Sequence, residues 1–174
     1  MKKVIISSVL AVILAVAIVG PVMAAPVEQQ ETASVTVSEY ISATVTDYGD
    51  DGINFASLTP GSSDNEEADQ TSSTGAVQVG VGAETNVVCK IGVKGSGDFS
   101  DAGSNSMALS QAVWDLDNAA ADATGMAITY AQVGSDTTAG SATTQEIWHW
   151  ISIPNGQAAA AYTATFYYKA DTAL

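Results

Sequence analysis

Apolar and polar residues alternate over much of this chain, which is typical of β-strands with one buried face. The clearest alternation lies at residues 77–81 and 87–93. Residues 82–86 between them have a length suited to a hairpin loop. Further strands are predicted at residues 107–114, 126–130, 147–153 and 161–169.

Residues 35–47 also alternate, and Glu39 interrupts their apolar face. The segment exceeds the usual strand length of about 5–6 residues. A bend near Glu39 is therefore expected, so that the first part pairs separately from the rest. Residues 25–33 before it form a polar N-terminal tail.

The segments between the predicted strands are rich in turn formers. Residues 57–75 contain Pro60-Gly61 and four acids, and this stretch is expected to be a long loop that is too polar to pack. Pro154-Asn155-Gly156 predicts a turn, and residues 115–124 have room for one helical turn. No amphipathic helix is evident.

These patterns predict an all-β fold for residues 34–174, which form one domain. A two-sheet antiparallel sandwich of immunoglobulin-like shape is the expected architecture, and a jelly roll is the alternative.

The first 24 residues have the pattern of a secretory signal peptide. Lys2 and Lys3 precede an apolar run from Val4 to Val19, and small residues follow at the expected cleavage position after Ala24, with Ala25 as the nearby alternative. An uncleaved anchor is the other interpretation, but the run is shorter than the roughly 20 residues of a spanning helix. The chain is therefore expected to be secreted and to have no membrane contact after cleavage.

The net charge of the chain limits the classes of molecule that it is expected to bind. The whole chain has a net charge of −14. From Ala25 onward three lysines stand against 19 acids, a net charge of −16. A chain without arginine and with so few lysines is not expected to bind nucleic acid or anionic lipid. The acidity fits either a saline environment or neutralisation of some carboxylates by divalent cations.

Candidate catalytic and metal-binding residues are few. The only histidine, His149, lies within a predicted strand and is interpreted as a core or interface residue, whereas the single cysteine, Cys89, is interpreted as a small buried hydrophobe. The chain is not expected to be an enzyme or to hold a cofactor. Two acidic clusters, Asp98/Asp101 and Asp115/Asp117, offer oxygen ligands for Ca²⁺ but do not match an EF-hand loop.

Trp148 and Trp150 project to the same face of their strand, because they are two residues apart. Either this face is core, or it is a flat aromatic platform for sugar rings or for a neighbouring subunit. The opposite face carries Ile147, His149 and Ile151 and is also apolar. If one face is core, the other is covered by loops or by a partner.

Two segments carry a family resemblance. Asn54-Phe55-Ala56-Ser57-Leu58-Thr59-Pro60-Gly61 resembles the Phe-x-x-Leu-x-Pro-Gly segment of many secreted β-sandwich proteins, and Ile153-Pro154-Asn155-Gly156 with Ala161-Tyr162-Thr163-Ala164-Thr165 is similar to their last hairpin. These proteins include the TasA/camelysin-type fibre subunits and archaeal bundling pilins. Trp114-Asp115-Leu116 resembles a WxL wall-binding motif, although Trp148-His149-Trp150 departs from the second Trp-x-Leu of that family. The resemblance implies a cell-surface location and, for the fibre families, assembly by strand exchange.

Together these observations predict a secreted structural subunit of an extracellular fibre, pilus or surface layer. The alternative is an adhesive or carbohydrate-binding module that uses the Trp148/Trp150 face on a surface glycan. For a homopolymer, residues 25–38 are the candidate donor strand, with Val35 and Val37 filling pockets in the next subunit. The same residues could instead form the first strand of their own sandwich.

Overall fold

Eleven β-strands and two short 3₁₀ turns make up the regular structure of the part of the chain that the computed structural model describes, residues 33–49 and 51–174. The strands are β1 (Ala43–Asp47), β2 (Asn65–Glu66), β3 (Val77–Val81), β4 (Lys90–Gly95), β5 (Phe99–Ser100), β6 (Ser106–Met107), β7 (Ala112–Asp115), β8 (Thr124–Gly125), β9 (Ala131–Val133), β10 (Thr143–Ile151) and β11 (Phe166–Asp171). The 3₁₀ turns are Leu109–Gln111 and Ala120–Asp122.

The predicted signal peptide and the tail as far as residue 32 lie outside the described residues. Within the described residues, no helix is both long enough and apolar enough to span a bilayer. The compact unit that contains all eleven strands spans Val37–Leu174.

All strand pairs are antiparallel. The larger sheet has the order β1-β3-β10-β7-β8, with β2 paired to the last residues of β10. The smaller sheet has the order β11-β4-β9, and β5 and β6 form a separate two-stranded ribbon. The all-β prediction is therefore confirmed, and the choice between an immunoglobulin-like and a jelly-roll order stays a prediction.

The core lies between the inner faces of the two sheets. Alternation decides which side chains reach it: Val77, Val79 and Val81 of β3 and Ile91 and Val93 of β4 are all buried. Side chains of β7, β9 and β10 complete the same apolar cluster. Val79 and Val133 have no exposed surface, which shows how tightly the centre is closed.

The predicted hairpin between residues 77–81 and 87–93 is wrong. β3 pairs with β1 and β10, whereas β4 pairs with β11 and β9, so the loop at residues 82–86 crosses from one sheet to the other. The loop is fixed by Thr85, whose buried hydroxyl accepts a hydrogen bond from the Ser42 amide at 3.0 Å. Strand periodicity identifies a buried face but does not identify the partner strand.

Two other segments depart from the predictions. Residues 126–130 lie between β8 and β9 and form no strand, while Met126 at one end of them still reaches the core. The loop at residues 57–75 was expected to be too polar to pack, yet Glu67 and Gln70 are buried against β10. Burial is tolerated because the Glu67 carboxylate accepts hydrogen bonds from the amides of Asn54, Asp69 and Gln70.

Candidate functional site: an open edge between the two sheets

Strands β1 and β11 each have one edge without a strand partner among residues 33–49 and 51–174. β1 pairs only with β3, and β11 pairs only with β4. The unpaired main-chain groups of an edge strand are a template for a further strand. These two edges flank the same opening of the sandwich.

Val45 shows that this opening leaves part of the core face uncovered. It lies opposite Val79 in the β1–β3 register, so both side chains point to the same face of the sheet. Val79 is completely buried, whereas Val45 is 50% exposed. The difference arises because β3 is flanked by strands on both sides and β1 is not.

A groove that is mainly apolar in its first part follows the opening, and we call it the edge groove. Its first part is a cavity of about 290 Å³ between β1 and β11, and its second part is a cavity of about 650 Å³ that continues beside residues 158–164. The two parts share Ile53, Phe55, Phe99 and Ala164. Val45, Asp47, Phe166 and Tyr168 line the first part only.

One wall of the edge groove is the extended segment 162–168. Tyr162, Ala164, Phe166 and Tyr168 pack against the core cluster from this segment, while Thr163 and Thr165 are exposed. This alternation agrees with the predicted face of the last strand, although β11 itself starts only at Phe166.

The main chain of that wall is bonded on one side. Thr163 and Ser100 exchange two amide–carbonyl hydrogen bonds of 3.0 Å, and the Thr165 carbonyl accepts from the Ser96 amide at 2.8 Å. In an extended strand the main-chain groups of the intervening residues point the opposite way. The amide and carbonyl of Ala164 are thus directed toward the edge groove and away from Ser96 and Ser100.

Residues 38–42 leave the sandwich beside the crossing loop at 82–86. The Tyr40 amide donates to the Asn86 side chain at 2.7 Å, and the Tyr40 carbonyl accepts from the Asn86 amide at 3.1 Å. The Ser38 carbonyl accepts a further hydrogen bond from Asn86. These bonds direct the chain along the loop, and residues 33–42 form no strand.

The two candidate donor residues are exposed. Val35 is 88% exposed and Val37 is 75% exposed. The predicted strand over residues 35–47 is therefore shorter than expected, and only Ala43–Asp47 is paired. Residues 25–32 of the candidate donor lie outside the described residues.

A buried polar pair lies behind the inner wall of the edge groove. The Tyr168 hydroxyl and the His149 Nε2 are 2.9 Å apart, and His149 is fully buried. Burial lowers the pKa of His149 to about 3, so the ring is neutral at neutral pH. Burial, together with the charges of Asp47 and Glu67, raises the pKa of the Tyr168 hydroxyl. The pair is therefore a hydrogen bond between two neutral groups.

The structure places Trp148 and Trp150 on the outer face of β10, and Ile147, His149 and Ile151 on the core face. Both tryptophans are buried, and the Trp148 indole donates to the Thr71 carbonyl at 2.7 Å. The loop at residues 67–74 therefore covers the outer apolar face of β10, while the other face packs in the core. A flat, exposed sugar platform does not exist at these side chains.

The carboxylates of the two acidic clusters accept hydrogen bonds from nearby residues of the chain. Asp101 accepts hydrogen bonds from Gly103 and Asn105, and Asp98 accepts from the Leu109 amide. Asp115 accepts from the Leu116 amide. Among residues 33–49 and 51–174, no group of three or more His, Cys, Asp or Glu side chains is arranged to hold a metal ion.

Cys89 is buried, as its apolar surroundings predicted, and its thiol lies 3.0 Å from the Thr137 hydroxyl. It has no disulfide partner in the described part of the chain, where it is the single cysteine.

The two segments that carry the family resemblance are neighbours in space. The Gly61 amide donates to the Ile153 carbonyl at 2.8 Å, and the Ile153 amide donates to the Ser62 carbonyl at 2.8 Å. Gly61 has a φ of 84°, which favours glycine, and a Cβ there would lie 2.5 Å from the Asn155 side chain. The resemblance thus concerns two turns that meet beside the edge groove.

Comparison of the chain with protein-family models, with curated proteins and with solved structures gave no match.

Sequence reasoning named Val35 and Val37 as candidate donor residues but did not identify a surface that could receive them. Phe55, Phe99 and Phe166 come from three distant parts of the chain, and only the fold brings them together at one groove. The single usable signal was the alternation of residues 162–168, which predicted a strand without showing that one of its edges is free.

Proposed function

We propose that the chain is a secreted structural subunit of an extracellular fibre or surface layer, and that copies join by strand exchange. The observation that carries the proposal is the edge groove, where core-facing Val45 and Phe166 lie beside free strand edges. Such a surface fits an added β-strand, which contributes main-chain hydrogen bonds at the edge and alternate side chains to the groove.

The proposed donor is the N-terminal segment 25–38 of another copy. Its described part exposes Val35 and Val37, which are two residues apart and so project to the same face of a strand. The extended wall at 162–168 spans about 20 Å at roughly 3.3 Å per residue, which is enough for a strand of six or seven residues.

The hydrogen bonds of Asn86 favour exchange between copies over insertion within one copy. They hold Ser38 and Tyr40 beside the crossing loop and not along the free edge of β1. Because donor and groove are different surfaces, the contact is head-to-tail and produces an open filament when it does not close into a ring.

Secretion belongs to the same proposal and rests on the sequence of residues 1–24. Mass spectrometry of protein recovered outside the cell is expected to give an N-terminus at Ala25 or Pro26. Full-length chain retained in the membrane fraction would contradict secretion.

Deletion of residues 25–38 tests the strand exchange. The mature chain is expected to form filaments under electron microscopy, whereas the deletion variant forms no filaments, melts as a folded protein and binds a synthetic peptide of residues 25–38. A mature chain that remains monomeric at high concentration and high salt would overturn the proposal.

A further inference from the structure

The three lysines from Ala25 onward all lie on one face of the smaller sheet. Lys90 and Lys94 alternate with the core-facing Ile91 and Val93 of β4, so both point outward. Lys169 lies opposite Gly92 in the β11–β4 register and therefore shares that outer face. We call this surface the basic face.

Two tyrosines contact the charged groups of Lys94 and Lys169. The Lys94 ammonium lies 4.8 Å from the ring centre of Tyr130 and 5.3 Å from that of Tyr167, and the Lys169 ammonium lies 4.6 Å from Tyr130. Tyr167 is 43% exposed. Cations held over aromatic rings keep their charge at the surface and lose less side-chain freedom on contact.

Only a few carboxylates accompany the basic face. Asp171 lies opposite Lys90 and forms an ion pair with Lys169 at 3.0 Å, and Asp136 follows β9 and accepts from Gln132. Lys169 is thus paired and the Leu174 side chain lies over Gly92, whereas Lys90 and Lys94 form no ion pair within residues 33–49 and 51–174, in a chain whose net charge is strongly negative.

The outer face of the larger sheet has the opposite character. The loop at residues 67–74 covers Trp148 and Trp150 on this side, and three carboxylates flank it: Glu66 and Asp115 lie opposite Trp150 and Trp148, and Glu146 lies opposite Gln78. Glu66 is exposed and Asp115 is half-buried, whereas the Glu146 carboxylate accepts hydrogen bonds from Tyr48, Gln78 and Gly75. No lysine or arginine lies in the described strands of this sheet. We call this surface the acidic face.

We infer that the basic face of one copy binds the acidic face of a second copy. A second copy is the occupant because this same sequence provides both members of the charge-complementary pair, one on each outer side of the sandwich. Two copies of a chain with so many acids repel one another in most orientations. When the basic face of one copy meets acidic residues of another, its lysines offset that repulsion. The contact does not involve the edge groove or residues 25–38.

The test uses mature full-length chains that all carry Val45→Asp in the edge groove, which is expected to block strand exchange. The two test substitutions are Lys94→Glu and Glu66→Lys, and sedimentation velocity is run at 0.15 M and 1 M NaCl. The chain with Val45→Asp alone is expected to show self-association that 1 M NaCl dissolves, because the Debye length falls from about 8 Å to about 3 Å. Each variant alone is expected to weaken that association by about ten-fold or more, since like charges then face each other.

An equimolar mixture of the two variants is expected to restore association, because every contact between unlike chains again pairs opposite charges. Asp122→Lys, at an exposed position in the 3₁₀ turn Ala120–Asp122, changes the net charge as Glu66→Lys does and is expected to leave association equal or tighter.

Two results would overturn the inference. The first is a mixture that associates no better than its components, or a Glu66→Lys variant that associates as tightly as Asp122→Lys. The second is binding of polygalacturonate that Lys94→Glu abolishes while self-association is unchanged, which would make the basic face a site for an anionic glycan.

Discussion

Strands β10 and β1 belong to the same sheet, but their surroundings are opposite. β10 has strand partners on both edges, core packing on one face and the loop at residues 67–74 on the other. β1 has one partner, and its core-facing Val45 is half exposed. β10 therefore belongs to the closed part of the sandwich, which supports its own stability. β1 belongs to the open part, which we propose is completed by another copy.

The largest effect is expected at the closed strand. Trp150→Ala removes a buried ring from the outer face of β10 and should lower the free energy of unfolding by about 3–5 kcal/mol. Val45→Ala at the open strand should cost less than about 1 kcal/mol, because only half of a smaller side chain is buried. Chemical denaturation of both variants measures the difference.

A Trp150→Ala or Trp148→Ala variant with an unchanged melting temperature would contradict this account of β10. If such a variant also lost the binding of a polysaccharide, the alternative of a carbohydrate-binding module would gain direct support.

The next effect concerns assembly. Here substitutions in the open strand β1 are expected to matter most, although they matter least for stability. Val45→Asp puts an unpaired carboxylate into the edge groove and should weaken polymerisation about 100-fold or more, because an added strand would bury that charge. Thr46→Asp, one residue later on the opposite face of β1, is the matched control and should polymerise normally. Filament yield is measured by pelleting, and equal yields for the two variants would show that the groove is not the acceptor.

A smaller effect is expected from His149 behind the groove wall. Its pKa of about 3 in the folded chain lies below its ordinary value of 6.5, so the unfolded chain binds the extra proton between these pH values. Stability from this group is complete above pH 6.5 and falls by about 1.4 kcal/mol for each unit as pH decreases toward 3.

His149→Gln removes this titration and isolates it from other groups. Burial raises the pKa of Glu67, which gives a pH dependence of the opposite sign above its ordinary value of 4.5. That contribution is common to both proteins, so the difference between wild type and His149→Gln reports His149 alone. Parallel stability curves from pH 7 to pH 4 would show that His149 is not buried in its neutral form.

The sequence predicted local features better than it predicted partners. The alternation of β3, the apolar side chains on both faces of β10 and the core face of residues 162–168 all follow from periodicity, and the structure has them. The pairing of β3 with β10 instead of β4 did not follow, because periodicity carries no information on which strand lies alongside.

Two misjudged segments show what else was missing. Residues 57–75 looked too polar to pack, but three main-chain amides satisfy the buried Glu67 carboxylate, and that network depends on tertiary structure. Residues 35–42 alternate like a strand, yet they have no strand partner in the described chain. An exchanged donor requires a strand pattern that has no partner in its own fold. Periodicity alone cannot distinguish such a donor from a strand that pairs within its own chain.

Disulfide cross-linking between differently tagged copies tests the central claim most directly. One copy carries Val35→Cys and the other carries Val45→Cys, and Cys89 is buried and does not compete. Strand exchange predicts a mixed disulfide dimer that a Thr46→Cys control does not form. A chain that carries both Val35→Cys and Val45→Cys and closes its disulfide within one monomer would contradict the account, because residues 25–38 would then complete their own sandwich.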